Sequence, residues 1–366
     1  MQHTQTWTNG NYITKTHPTP NLTSQRISDY LKQLGNESLW RQFFQTYLQT
    51  ILTNKTGVII DTTSLPNEID FPLSAWGRHG AESQRQTRLL LVVERTTNRP
   101  LYFSYKAGNI VDVTTLANTI TELTAMGVNT SFALIDAGYC SKSNIEELYA
   151  NHIAFLTRLP ADRVLYKTLI AEHSSTLEDA ANYVVYGERA LYVRCVEVDL
   201  FGHVGFAYVV CDVKRKGDEL TKILLAAKEE GLGVEEVNGR CLGAGKFVLL
   251  SSERVLCEEV LPLYYMRQGA ENLFGVSKCF LDLLPLRTHG IEMFGGYLML
   301  TFVSLLVYIE LRNLLGEVFT VEGALLEMSN LMCCVYGELG VVCEPTRRMN
   351  EIAELLGVVL PKTLKL

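Results

Sequence analysis

Pro262–Phe280 reads PLYYMRQGAENLFGVSKCF. Wound as one helix at about 100° per residue, it puts Tyr264, Arg267, Glu271 and Lys278 at about 0°, 300°, 340° and 320°, within an arc of about 60°. One acid, two cations and a phenol then share a stripe. Alone, the stripe is explained by an exposed helix face carrying an Arg267–Glu271 pair at i, i+4, worth only a few tenths of a kcal/mol. The spacing says more. With each residue type at about one position in twenty, this four-point pattern arises by chance in roughly one chain of this length in several hundred.

Upstream of this segment, two buried strands each run out at an acid. Gly57–Ser64, GVIIDTTS, is a short β-branched run ending in Asp61, and Thr130–Asp136, TSFALID, is another ending in Asp136. Between them, RLLLVVERTTNRPLYFSY (88–105) reads as a hairpin turning through Thr96–Pro100. A helix follows from about Thr114 to Met126, with apolar Leu116, Ile120, Leu123 and Met126 at three- and four-residue spacing and Gly127 as its stop. After Asp136 comes a helix capped by Ser143 or Asn144, then the strand IAFLTRL (153–159). The order predicts a mixed sheet with helical crossovers. Ligands of open α/β sheets gather at the carboxyl ends of strands, so Asp61 and Asp136 can meet at one site. Singly, an Asp after a strand is ordinarily a turn former or cap.

Further out, Tyr166–Leu249 holds the β-rich runs NYVVYGE, LYVRCVEVD and VGFAYVVCDV, a short helix near Leu220–Lys228 and the strand KFVLLS, which predict a largely antiparallel insertion. Ser24–Leu52 predicts a helical pair broken at Gly35 and Asn36, and the first 25 residues lack apolar periodicity and read as a loose arm. Met293–Ile309 is a run of 17 uncharged residues, just short of the roughly 20 that span a bilayer. With Gly295, Gly296, Thr301 and Ser304 inside it and no second span or basic flanking loop, it reads as a buried helix of a large core.

Composition narrows the classes. Hydrophobic residues at 47% and charged residues at 20% exclude wholesale disorder, collagen and coiled coil. A net charge of −7 argues against a uniformly basic nucleic-acid binder, but Arg78–Lys106 carries six Lys or Arg against Glu82 and Glu94. That local excess either follows a DNA backbone or is a solvated hairpin face, and Trp76 and Tyr105 within it either stack on a base or belong to the core. Nine scattered cysteines and no signal-like start predict reduced thiols in the cytoplasm. CLGAGKF (241–247) lacks the spacing and the hydroxyl of a P-loop, no HExxH-type pair occurs, and His79 and His289 read as surface histidines.

With two strand-end aspartates followed by the Tyr264, Arg267, Glu271, Lys278 pattern, the chain resembles the DDE transposases of bacterial insertion sequences, in the Y-R-E-K signature group (insertion-sequence family four). Gly108, Asn109 and Asp112 resemble that group's GNxxD segment, and Arg287 follows the signature as it does there. The resemblance covers about Gly57–Leu315. It implies an α/β fold, a ribonuclease H-like mixed sheet flanked by helices, with a β-rich insertion before the last catalytic helix. It divides the chain into an N-terminal arm and helical segment (1–56), a first part of the core (57–164), the insertion (165–250), the completing part of the core (251–315) and a helical tail (316–366). It implies that Asp61, Asp136 and Glu271 are catalytic and hold two Mg²⁺ or Mn²⁺ ions, and that Tyr264, Arg267 and Lys278 contact DNA phosphates. Hard carboxylates suit those ions, and a pair of them can activate the attacking oxygen and stabilise the leaving one at phosphorus.

The expected partners are insertion-sequence ends and target DNA, bound by a homodimer with no membrane, in a cytoplasmic, nucleoid-associated setting. Two departures stand out. Gln268 and Ala270 replace a common Trp and Ile, and only 60 residues precede Asp61, which predicts weakened end recognition. The alternatives are a nuclease that cuts without rejoining and an inactive DNA-binding remnant.

Overall fold

The computed structural model describes the chain except residues 1, 2, 19, 52–54, 70, 80, 81, 111, 289 and 366. His289 therefore lies outside the described residues, as do the side chains of Arg78, His79, Glu82 and Asp112. The chain forms two compact units, each assembled from separated segments: Met1–Phe43, Ser64–Thr87 and Leu273–Leu366 make the first, and Phe44–Thr63 and Arg88–Asn272 the second.

The second unit carries the sheet. Its strands are β1 (Thr56–Pro66), β3 (Glu82–Glu94), β4 (Pro100–Ala107), β5 (Thr130–Ile135), β6 (Ala154–Leu159), β7 (Tyr183–Tyr186), β8 (Arg189–Leu200), β9 (His203–Asp212) and β10 (Lys246–Ser251). β1 and β3 run on into the first unit, where β2 (Ala75–His79) pairs with the start of β3. The order is β3-β1-β5-β6-β10-β9-β8-β7, with β4 also paired to β3. β1, β5 and β6 are mutually parallel, whereas β10 and β9 add antiparallel to β6. This is the mixed sheet that the sequence predicts. Helices α5 (Leu116–Ala125) and α6 (Lys142–Ala150) form the crossovers.

The parallel strands are buried on both faces, which is why they read as continuous apolar runs. Val58, Ile59, Ile60, Ala133, Leu134, Ile135, Phe155 and Leu156 are all fully buried. At about 1.5–3 kcal/mol for each large apolar side chain, this seam is a main source of the unit's stability. α5 stops as expected: Gly127 takes φ +89°, and the amides of Gly127 and Val128 donate back to Thr124 and Leu123.

Several expectations need correction. β1 continues to Pro66, so Asp61 lies within it; what ends near Asp61 is the pairing with β5, whose last partners are Ile60 and Ile135. The cap of α6 is Ser141, whose hydroxyl accepts from the Asn144 amide, and not Ser143 or Asn144. The β-rich runs of 165–250 join the same sheet and are accompanied by three helices: α7 (Val164–Leu177), α8 (Val213–Glu230) and α9 (Val234–Leu242). Only the middle of α8 was expected. Asp212 caps its start and Gly231, at φ +63°, ends it, so it runs 18 residues.

The first unit is mainly helical. The arm expected to be loose forms α1 (Thr4–Asn9) and α2 (Ile13–Thr16), held by side chains that bond back to the chain, such as Thr8 Oγ1 to the Thr4 carbonyl at 2.7 Å. Such bonds leave no apolar period to read. The helical pair is present as α3 (Ser24–Leu34) and α4 (Glu37–Ile51), the latter continuing into the second unit. After α10 (Cys257–Tyr265) and α11 (Gln268–Gly275), a π-helical turn (Val276–Phe280) leads to α12 (Ile291–Leu315), which contains the apolar run. α12 packs on α3 with Phe294, Leu298, Phe302, Leu305 and Ile309 buried, although Val307 and Leu314 are exposed. The unit closes with α13 (Val321–Met328), α14 (Arg347–Leu355) and a small sheet of β11 (Cys333–Tyr336), β12 (Leu339–Val342) and β13 (Thr363–Lys365).

Candidate active site

Parallel pairing sets the first line of the site. Ile60 is paired with Ile135 and Ile135 with Thr157, so the next residues along three neighbouring strands are Asp61, Asp136 and Arg158. Equivalent positions of parallel strands project to the same face. Asp61 is 5% exposed, and its Oδ1 accepts from the Thr62 amide at 2.9 Å. Arg88 donates to the neighbouring Thr62 hydroxyl at 3.2 Å. Asp136 opens a short 3-10 turn, and its carbonyl accepts from Thr157 Oγ1 at 3.3 Å.

The signature segment supplies the second line, in a form the helical wheel did not foresee. α10 ends at Tyr265 and α11 begins at Gln268, with Met266 and Arg267 at the joint. There the ladder tightens to i−3 bonds: Arg267 N to Tyr264 O, Gly269 N to Met266 O and Ala270 N to Arg267 O. Gly269 contributes to this by its poor helix propensity. A Cβ there would come within 1.9 Å of Asn98 Oδ1, so any larger residue displaces the Asn98 side chain.

The joint aims Arg267 at the acids. Its Nη1 lies 3.3 Å from Asp61 Oδ2 and 3.1 Å from Asp136 Oδ1, and its Nη2 lies 2.5 Å from Glu271 Oε1. Residues some 200 positions apart thus converge on one guanidinium. Burial pushes the Asp61 carboxyl up to about 7; Arg267 opposes this, while Asp136 and Glu271 add to it. Burial works against the charge of Arg267 too, but the surrounding acids outweigh it and hold the guanidinium above its ordinary range. Tyr264 is buried against the same cluster, which raises its phenol. Lys278 sits half-buried in the π-helical turn of the first unit, where burial lowers its ammonium.

Beside the carboxylates is a cavity of about 140 Å³ lined by Arg158, Arg215, Phe247, Tyr264, Tyr265, Arg267, Gln268 and Glu271. The Arg158 guanidinium lies over the Phe247 ring, 5.2 Å from its centroid, and Arg215 pairs with Glu219 at 2.6 Å. Arg158 is the residue sequence reasoning missed. Its only signal is its place in IAFLTRL, one residue past the position that pairs with Ile135. Tyr265 is held in turn by Tyr186, stacked at 5.1 Å, and by Arg189, whose other partner is the buried Asp212. Of the aromatics in the basic stretch, Trp76 is 68% exposed and is not a core residue.

Among the described residues, no group of three or more His, Cys, Asp or Glu is close enough to hold a metal ion as it stands. The donor set nonetheless fits a divalent cation. All three groups are hard carboxylates, and the place where they meet already holds a positive charge. Asp61 and Asp136 share a single nitrogen, Arg267 Nη1, as neighbour.

Residues 53–307, most of the chain, match the family described as Transposase DDE domain. A search of curated proteins gives no match. Among solved structures, a piggyBac transposase synaptic complex with hairpin DNA is similar at a TM-score of 0.44 and 11% identity, over 83% of this chain and 52% of that one. The chain thus spans about half the length of that transposase. The family match encloses Asp61, Asp136, Arg267 and Glu271, and the chain belongs to the family described as Transposase DDE domain.

Proposed function

We propose that this chain is an insertion-sequence transposase of the Y-R-E-K group in which Asp61, Asp136 and Glu271 form the catalytic and metal-binding triad. The observation that carries the reading is the convergence of those three carboxylates on Arg267. When bound, two Mg²⁺ or Mn²⁺ ions supply Lewis-acid activation of the attacking oxygen and stabilisation of the leaving one. Water first attacks a phosphodiester at the element end, and the freed 3′ hydroxyl then attacks target DNA. The chain's own residues orient the strand for both attacks. Arg267, Lys278 and Tyr264 bind backbone phosphates, and the guanidinium of Arg267 offers paired donors to two phosphate oxygens. Arg158, in line with the aspartates, extends that row of donors. The burial of Asp61 keeps bulk water from its carboxylate and strengthens every charge interaction there.

The protein acts as a homodimer that brings two DNA ends together, in the cytoplasm at the nucleoid. α12 acts as a core helix and not as a membrane span, a reading supported by its buried Phe294, Leu298 and Phe302. Labelled element-end DNA incubated with purified protein and Mn²⁺ tests the whole reading. Nicked and joined products are expected from the wild type, and neither from Asp61→Asn, Asp136→Asn or Glu271→Gln, while all three variants still bind DNA. Nicks without joining would mean a nuclease, and wild-type binding without any product a silent remnant.

A further inference from the structure

Arg267 occupies the point where the three acids meet, and its side chain is only 18% exposed. Arginine does not lose its proton in proteins, so this guanidinium can leave three carboxylates only if another positive charge takes its place. A destination is at hand. Arg267 also lines the adjoining cavity, whose other polar walls include Arg158, Arg215 and Gln268. Arg158 reaches that cavity from the strand position next to Asp136, with its guanidinium over Phe247. Two guanidiniums there would match the anionic oxygens of a phosphodiester.

Resting on the reading of Asp61, Asp136 and Glu271 as divalent-ion ligands, we propose that Arg267 is a stand-in cation. It neutralises the triad until divalent ions bind, then turns into the neighbouring cavity and, with Arg158, holds a DNA backbone phosphate. Ion loading and DNA binding are thereby coupled through one side chain, and the coupling is reciprocal. Before loading, Arg267 is held by the carboxylates and the phosphate lacks that donor. After loading, the donor is free to meet it.

Two binding measurements on the full chain test this without reference to activity: Mn²⁺ titration followed by the electron paramagnetic resonance of the free ion, and anisotropy of a short labelled duplex with and without Ca²⁺. Without DNA, Arg267→Gln is expected to bind Mn²⁺ at least about five-fold more tightly than wild type, the lower end of ordinary coupling. Ca²⁺ is expected to raise wild-type DNA affinity by about five-fold or more and that of Arg267→Gln by less than about two-fold. Arg158→Gln is expected to weaken DNA binding in Ca²⁺ and leave Mn²⁺ affinity unchanged.

Equal Mn²⁺ affinity in wild type and Arg267→Gln, with loss in Asp61→Asn, would overturn the exchange while leaving the ion site standing. Binding that Asp61→Asn does not weaken would instead remove the triad reading and the exchange with it. Should Arg267→Gln fail to fold alone, recovery on adding Mn²⁺ reads the same exchange, and a failure that Mn²⁺ does not rescue contradicts it.

Discussion

Asp61 stores a conflict that pH can expose. Its buried carboxyl is pushed up to about 7, whereas in the unfolded chain it returns to the ordinary range near 3.8. Between those values the folded, metal-free protein keeps a proton that the unfolded chain has released. Its stability therefore falls as pH rises from about 4 toward 7 and levels off above, by an amount on the order of a few kcal/mol. Asp61→Asn is expected to abolish most of this slope. Denaturant melts of metal-free wild type and variant at about pH 5 and about pH 8 check it; a wild type equally stable at both pH values would contradict it. At the same scale, Arg189 joins the buried Asp212 to Tyr265. Arg189→Ala removes that carboxylate's cationic partner and is expected to cost about 1–3 kcal/mol in denaturant melts, with Asp212→Asn in the same background recovering part of it. The convergence of Asp61, Asp136 and Glu271 on Arg267 was legible because two apolar runs and one rare spacing mark those acids. Arg158 was not, because its role depends on which residues of β5 and β6 lie side by side, a relation no local pattern encodes.

Among the elements, those whose pattern is set by burial were readable and those set by capping or by partners were not. β1, β5 and β6 stood out as apolar runs, and α3 and α4 by their period. The extra length of α8 rests on Asp212 and Gly231 at its ends, and α1 and α2 on polar side chains bonding back to the chain. The signature helix was expected to be continuous, yet it changes its winding twice, tightening at Arg267 and widening after Gly275. α3 and α12 approach each other closely at two glycines. A Cβ on Gly296 would lie 1.8 Å from the Leu31 carbonyl oxygen, and one on Gly35 1.8 Å from that of Glu292. Since backbone stands in the way, Gly296→Ala is expected to force the helices apart and cost about 1–3 kcal/mol or more. Thermal melting tests this, with Gly275→Ala, whose added methyl meets nothing within 4 Å, as the control. Equal melting temperatures would refute the close packing.

For the molecule as a whole, composition set the limits but not the assembly. The mixed pairing follows the sequence expectation, whereas the strand order was not predicted, and each of the two compact units draws on separated segments of the chain. α12 is long and apolar enough to cross a membrane by composition alone, and its burial against α3 is what favours a core role. In vesicle flotation, the full chain is expected to stay with the aqueous fraction; flotation with neutral lipid would reverse that assignment. The central claim is that three distant carboxylates act together on divalent ions. Anomalous diffraction from crystals grown with Mn²⁺ and element-end DNA tests it most directly: the account expects manganese peaks bounded by Asp61, Asp136 and Glu271, with Arg267 withdrawn from them. Peaks elsewhere, or none in crystals whose DNA has been cut, would contradict it.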